Sequence, residues 1–283
     1  FHWELDFASV FGRGGFDLQV GNPPWVRPDW DEKATFAEFD PWWQLAEKPT
    51  QKAIGVKKSQ ALADPEHQEF MCYQAVAIAG LRDSISDQIN YPVIAGLRPD
   101  LYRVFMERVW RSTSVRGTPL FYTLSRTSPR RRRPYFVQRL IGGCDGTGSF
   151  INELSLFEIH HLVSYGVHVY GPRREAPSFK MAASLYHPDT VARSLVHDGS
   201  GEVPGLKDDE GNWDQRPHRE RIIDVDETVL AVWADILDEP GASPIQARMV
   251  YPVNRVSSRV AREAQQGSAG SRPRAASTQA VGQ

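Results

Sequence analysis

The run Phe16-Asp17-Leu18-Gln19-Val20-Gly21-Asn22-Pro23-Pro24-Trp25 decides how the rest of this chain is read. Leu18 and Val20 stand two apart, the strand period, and predict a short buried β-strand. Gly21 ends it. Asn22 then falls where a strand of an α/β sheet emits its functional loop. Pro23 and Pro24 fix the backbone and carry no N–H. The run therefore predicts a stiff loop that presents one side-chain amide, a pair of outward carbonyls and the indole face of Trp25.

That set matches an exocyclic amino group on a flat ring, such as adenine's. Its two N–H donors need two acceptors, and the Asn22 side-chain oxygen and the Pro23 carbonyl can supply them. Both hydrogen bonds draw the nitrogen toward a tetrahedral, nucleophilic shape. Trp25 can stack on the ring. A base held this way has left its duplex, so base flipping is implied.

Asn22-Pro23-Pro24-Trp25, preceded by Gly15-Phe16-Asp17 and Gly21, resembles the catalytic motif of amino-group DNA methyltransferases. His2-Trp3-Glu4-Leu5-Asp6-Phe7 with Val10-Phe11 adds to the resemblance, as does Tyr91-Pro92 with Pro99-Asp100-Leu101-Tyr102. Together these segments are similar to the large adenine-specific methylases of Type IIG restriction-modification and phage-defence systems, over most of Phe1 to Arg255. The resemblance implies an incomplete Rossmann-like class I methyltransferase sheet of α/β class. It also implies S-adenosyl-L-methionine as cofactor, with Asn22 and Pro24 facing it, and double-stranded DNA with a flipped adenine as partner, together with other restriction or defence subunits. Asn22, Pro23, Pro24 and Trp25 are the implied catalytic residues. The family places Asn first in the motif for adenine more often than for cytosine, so adenine is the expected base.

The bulk composition bounds this reading. The chain has 283 residues, 41% hydrophobic and 24% charged, which is ordinary for a globular protein. No apolar run is long enough to span a membrane. Two cysteines, Cys72 and Cys144, make no disulfide framework, and no signal peptide is visible, so a cytoplasmic setting is expected. The formal net charge is −2, whereas a DNA-binding domain usually carries a basic balance. DNA contact must therefore be local or rest on further segments. Phe1 opens inside a motif and no initiator methionine precedes it, so the sequence reads as an internal piece of a longer protein.

Along the chain, Trp3 to Phe11 alternates like a strand or its approach, and Arg13-Gly14-Gly15 is a turn. Val26 to Trp43 reads as loop or short helices. Its aromatics Trp30, Phe36, Phe39, Trp42 and Trp43 form either a lid over a base pocket or a satellite hydrophobic cluster. Gln51 to Ala63 is a polar helix. Pro65 to Leu81 is another, with Gly80 marking its end. Asp100 suits the N-cap of a helix over Leu101 to Trp110, with Leu101, Val104, Phe105 and Val109 as its apolar stripe. Val163 to Val169 and Phe179 to Leu185 alternate and predict an antiparallel hairpin at one sheet edge. His197 to Pro217 is a loop. Ile222 to Leu237 is a strand followed by a helix, and Arg248 to Val253 a short strand. His160, His161, His168 and His187 lack metal-ligand spacing.

Two stretches break the pattern. Pro119 to Ser149 holds Arg130-Arg131-Arg132-Arg133 and Gly142-Gly143, with no sustained periodicity. A basic nucleic-acid patch and a solvated charge run are both open readings. A third is a translation-frame error: with permitted codons, a shifted frame gives a string with a strand, a capping signal and an amphipathic helix. On that reading the stretch should be poorly packed. After Val260 the chain is rich in Gly, Ser, Ala, Arg and Gln and reads as disordered, with another frame offset recovering a patterned string. The expected organisation is the C-terminal part of a methyltransferase catalytic domain over 1–195, a linker or the start of a target-recognition region over 196–259, and a disordered tail over 260–283.

A methyltransferase of this class also needs a glycine-rich cofactor loop after its first strand and an acidic residue after its second. Gly12-Arg13-Gly14-Gly15 stands before the strand instead, so it reads as a turn. Two functions compete. One is the catalytic part of an adenine-specific DNA methyltransferase, active only within the complete protein. The other is an inactive fragment or split-gene product. A scaffold that keeps the fold without the chemistry is a third.

Overall fold

The computed structural model describes residues 2–97, 100–124 and 134–257. These fall into two compact units. One, the sheet unit, joins the residues up to Asn22 to those from Ser112 on; the other, the helical unit, runs from Pro23 to Arg111.

The sheet unit opens with two short helices, α1 (Trp3–Asp6) and α2 (Ala8–Gly12), where a strand was expected. The competing period explains the difference. Trp3, Phe7 and Phe11 are four apart, and that helical spacing sets all three rings edge-on to Phe16, with centroids 5.7, 5.3 and 5.8 Å away. Gly14 and Gly15 then turn the chain at φ +101° and +113°. At Gly15 a β-carbon would also lie 2.5 Å from the Ser112 carbonyl, so only glycine fits.

The strands are β1 (Phe16–Gly21), β2 (Thr113–Leu124), β3 (Cys144–Ile151), β4 (Ser164–Tyr170), β5 (Ser178–Leu185) and β6 (Ile223–Asp226). They form a mixed six-stranded sheet in the order β1-β2-β4-β3-β5-β6. β1 pairs parallel with β2, and β3 parallel with β5; β4 is antiparallel to β2 and β3, and β6 to β5. The class is α/β, consistent with a Rossmann-like methyltransferase sheet.

Four expectations need correction here. β4 and β5 have the predicted bounds and run in opposite directions, but β3 lies between them, so they are not a hairpin. β1 is a strand but not a buried one: it lies at the sheet edge, and Leu18 and Val20 are each 64% exposed. Spacing identifies a strand, whereas burial depends on what lies beside it. Residues 248–253 are coil, not strand. The described parts of Pro119 to Ser149 are well packed. Within β2, Phe121 and Thr123 are buried, and helix α8 (Pro134–Gly142) buries Phe136 and Ile141. β2 pairs with β1 on one side and β4 on the other, and Pro119, Phe121 and Thr123 point to its buried face while Leu120 and Tyr122 between them are half-buried. The patterning argument for a shifted frame fails there. Arg130 to Arg133 and the tail over 260–283 lie outside the described residues.

Helix α9 (Pro188–Leu195) follows β5; its N-terminus is capped by His187, whose ring nitrogen accepts from the Asp189 N–H at 3.1 Å. Helix α10 (Glu227–Leu237) follows β6 and is capped by Asp226, which accepts from the Val229 N–H at 2.9 Å. It buries Leu230, Trp233 and Ala234. Full burial of a side chain such as Leu230 contributes about 2 kcal/mol.

His168 sits in the middle of β4, buried. Its Nδ1 and the Thr147 hydroxyl are 2.8 Å apart, and its Nε2 has no partner among the described residues. The ring also explains Gly166, where a β-carbon would fall 2.4 Å from Nε2. Burial pushes the His168 pKa down to about 4. The ring is therefore neutral in the folded protein, while in the unfolded chain it protonates near the usual value of about 6.5. The unfolded state binds more protons between those two values, so stability falls as pH falls through that window. The loss should reach on the order of 3 kcal/mol by the lower end. Urea titrations of wild type and His168→Gln at neutral pH and near the folded pKa check this. The wild type should lose more stability than the variant, and parallel losses would mean that His168 is not held neutral.

The helical unit carries α3 (Glu32–Ala37), α4 (Trp42–Leu45), α5 (Gln51–Ala61), α6 (Pro65–Ser86) and α7 (Leu101–Ser112). Phe36, Trp43 and Met71 form a buried cluster with Phe39, Trp42 and Ile54 packed on it. The Phe36 and Trp43 rings stack at 4.6 Å. Of the two readings of these aromatics, the hydrophobic cluster is the one seen; Trp30 instead donates to the Thr35 hydroxyl at 3.1 Å. α6 runs through Gly80 rather than ending there. On α7 the buried stripe is Tyr102, Met106 and Trp110 with Val104, whereas Phe105 is 44% exposed. Glu107, buried among them, accepts from the Val93 and Ile94 N–H groups at 3.1 and 3.0 Å and so ties down the preceding loop.

Candidate active site

β1, β2, β3 and β5 all point the same way, so their carboxyl ends share one rim of the sheet. In open α/β sheets that rim is where ligands bind. Asn22 leaves β1 there, exposed, with no regular structure from Asn22 to Asp31. Of the other three motif residues, Pro23 is buried, Pro24 exposed and Trp25 half-buried. The division between the two compact units falls between Asn22 and Pro23. Asn22 thus belongs to the sheet unit, and Pro23, Pro24 and Trp25 to the helical unit.

β1 is held against β2 by more than its backbone. Gln19 donates to the Thr113 hydroxyl at 2.7 Å and accepts from the Ser112 hydroxyl at 3.2 Å. Asp17 accepts from the Ser114 hydroxyl at 3.0 Å. These links fix the strand that presents Asn22.

In the helical unit the chain beyond Trp25 is equally constrained. The Val26 carbonyl accepts from the Leu101 N–H at 3.1 Å, and Arg27 forms an ion pair with Asp100. Asp100 also faces Arg103 at 2.9 Å. Asp100 stands directly before α7, the N-cap position expected of it, and its carbonyl accepts from the Arg103 N–H at 3.0 Å, while its carboxylate is engaged with two guanidinium groups. The Asp100 hydrogen bond, then its charge, raises the Arg27 pKa.

Sequence reasoning missed two other features of the rim. Asn152 follows β3, is fully buried, and ties a turn with its amide. Its Nδ2 donates to the Phe157 and Ile159 carbonyls at 3.0 and 2.9 Å, and its Oδ1 accepts from the Phe157 N–H at 3.1 Å. The turn holds Phe157 edge-on to Tyr165 at 4.8 Å. The available signal was an asparagine after the apolar pair Phe150-Ile151, which is common where a strand gives way to a loop. Phe157, Tyr122 and Tyr165 then wall a cavity of about 530 Å³ on one face of the sheet, floored by Gly146, Gly148 and Ala182. The charged groups lining it are already paired, Lys180 with Asp224 at 2.8 Å and Asp145 with Arg174. It offers an apolar surface without an uncommitted charge, and it does not include Asn22.

The histidines divide by role. His168 is part of the core, His187 caps α9, and the exposed His160 and His161 stack on each other at 4.4 Å. No group of three His, Cys, Asp or Glu among the described residues is placed to hold a metal ion. Cys144 is buried, and burial followed by the charge of Asp145 pushes its thiol pKa up to about 12, so it is inert. Cys72 is exposed. No helix among the described residues is long and apolar enough to cross a membrane.

For the cofactor that the resemblance implies, Asn22 and Pro24 are the positions available. Gly12 to Gly15 follow a helix and precede β1, so they do not form a loop that follows a strand and opens a helix. Among the described residues no other glycine-rich loop has that placement. Two loop residues alone do not cradle a nucleoside, and the described set therefore does not fit the whole cofactor.

No protein-family model matches the chain, and no curated protein matches it in sequence. Solved structures do align with it. One is the ATP-dependent Type ISP restriction-modification enzyme LlaBIII bound to DNA, at 11% identity over 60% of this chain and 10% of that one, with a TM-score of 0.32. A second is the DrdV–DNA complex, at 12% identity over 63% and 16%, with a TM-score of 0.34. A third is a type I restriction-modification system studied for its assembly and conformational transition, at 14% identity over 91% and 44%, with a TM-score of 0.40. The chain spans less than half the length of each of these three structures.

Proposed function

We infer that this chain carries the catalytic loop of a DNA methyltransferase that acts on the adenine amino group, with S-adenosyl-L-methionine as methyl donor, in a restriction-modification or phage-defence system. The observation that carries this reading is Asn22: an exposed amide at the carboxyl end of a parallel strand, followed directly by Pro23, Pro24 and Trp25. The contributions of this chain's own residues follow from their chemistry. The Asn22 Oδ1 accepts one amino N–H and the Pro23 carbonyl accepts the other. Each acceptor draws the nitrogen lone pair out of conjugation with the ring, which raises its nucleophilicity. Acceptors placed beforehand do this without reorganising during the reaction. Trp25 offers a stacking face to the extruded base.

A second reading is an inactive piece of such an enzyme, because Gly12 to Gly15 stand before β1 rather than between a strand and a helix. One experiment separates the two. The full-length protein is incubated with tritiated S-adenosyl-L-methionine and duplex DNA, and the DNA is digested to nucleosides. Label is expected on the adenine amino nitrogen. Label on cytosine would overturn the choice of base, and no label in DNA would leave the inactive reading.

A further inference from the structure

We propose that Asp100 is a positioning residue for the segment that carries Pro24 and Trp25, acting through Arg27. The proposal rests on the functional reading above, but its geometric half stands on its own, because every group in it belongs to the helical unit. Asp100 is buried at the start of α7. Its carboxylate lies between Arg27 and Arg103, and the next residue, Leu101, donates its N–H to the Val26 carbonyl at 3.1 Å. One short stretch of α7 therefore grips two consecutive residues directly after Trp25, one by its backbone and one by its side chain.

The grip has two distinct parts. The Arg103 side chain is largely buried and belongs to the same helix turn as Asp100, so it holds the carboxylate in place from within α7. Arg27 approaches from the other segment with 46% of its side chain exposed. An exposed ion pair adds little to stability, about 0–1 kcal/mol. A semi-exposed Arg27 on an already paired Asp100 is thus poorly suited to hold the fold together and well suited to set the direction in which the chain leaves the prolines. A further tether extends the same restraint: Asp29 lies 3.5 Å from Arg82 on α6. Pro23 and Pro24 cannot flex in φ. Trp25 therefore stands between two restraints, the prolines before it and the held Val26 and Arg27 after it.

The test uses the full-length protein with Arg27→Gln, Asp100→Asn and the double variant. Two quantities are read: amide hydrogen exchange over residues 25–31, and steady-state methyl transfer to duplex DNA. In both single variants exchange over 25–31 should rise, while the melting temperature of Arg27→Gln stays near that of wild type. Turnover should fall on the order of ten- to a hundredfold, as expected when a reacting group is displaced by about an ångström. KM for DNA should rise as well, because the stacking face of Trp25 lies on the displaced segment. The double variant should be no slower than the slower single variant, because both residues act through one contact. Unchanged exchange over 25–31 in Arg27→Gln would overturn the clamp. Raised exchange with unchanged turnover would overturn its role in the reaction. A wild-type protein that transfers no methyl group would instead remove the functional reading, and the exchange data would still decide the clamp.

Discussion

Asn22→Ala in the full-length protein is expected to cut methyl transfer to DNA on the order of a hundredfold or more, the usual cost of removing one preorganised hydrogen bond to a developing charge. The substitution takes away one of two acceptors and leaves an amino N–H facing a methyl group. The nitrogen then keeps more of its conjugation with the ring. The fold should not suffer, because Asn22 is exposed and lies just beyond the last residue of β1. The effect should fall on turnover more than on DNA binding. Trp25→Ala makes the complementary case. Loss of a stacking face is worth roughly 1–3 kcal/mol per base, so it should raise KM for DNA and spare the donor. Initial rates with tritiated donor, over a range of DNA concentrations, read both variants. Near-normal turnover in Asn22→Ala would take the loop out of catalysis, and with it the main support for the functional reading.

Asp214→Ala should be the most destabilising single change discussed here, at about 3–5 kcal/mol, the cost of leaving one member of a buried ion pair without its partner. The Asp214 carboxylate has no exposed surface. It accepts from the Gly205 and Arg216 N–H groups at 3.1 and 3.0 Å and faces Arg221 at 3.6 Å. Arg221 is itself only 1% exposed, donates to the Arg216 and Asp214 carbonyls at 2.8 and 2.6 Å, and has no partner for Nη1 among the described residues. Burial pushes the Arg221 pKa down and the Asp214 charge pushes it back up. Without Asp214 the guanidinium stays in the interior uncompensated, and the loop from Gly205 to Arg216 loses its centre. Arg221→Met should cost less, since it removes the charge as well and leaves Asp214 its second arginine, Arg216, at 2.8 Å. Urea midpoints of the two variants against wild type check the order. A loss under about 1 kcal/mol in Asp214→Ala would mean that water reaches Arg221.

What the sequence disclosed, and what it withheld, follows the range of the forces involved. Period-two alternation gave β4 and β5 to within a residue or two, and helical spacing gave α6, α7 and α10, because these patterns are local. The strand order was not legible. Whether β3 lies between β4 and β5 is decided by contacts far apart in sequence, and no feature of Val163 to Leu185 encodes it. The same holds for the burial of Leu18 and Val20, which depends on what flanks β1. The candidate site was half legible. Asn22, Pro23, Pro24 and Trp25 are contiguous, so a motif reveals them. The Asp100–Arg27 pair and the Asn152 turn join residues through folding, and their side chains are too common to announce a role. Asp100 shows this well: its position before α7 was legible, whereas its ion pairs with Arg27 and Arg103 were not.

The edge position of β1 has a practical meaning for anyone handling this 283-residue chain. Among the described strands β1 pairs only with β2, and its side chains place two aliphatic residues in water. The opposite margin is blunted: β6 has four residues, two of them aspartates, and Arg255 donates to the Ile222 carbonyl beside it. Natural sheets protect their margins in this second way, and a bare apolar margin is a template for strand addition between molecules. Association between molecules through β1 is therefore expected to rise with protein concentration. Leu18→Lys is expected to keep concentrated samples monodisperse, and light scattering over a concentration series of variant and wild type checks it.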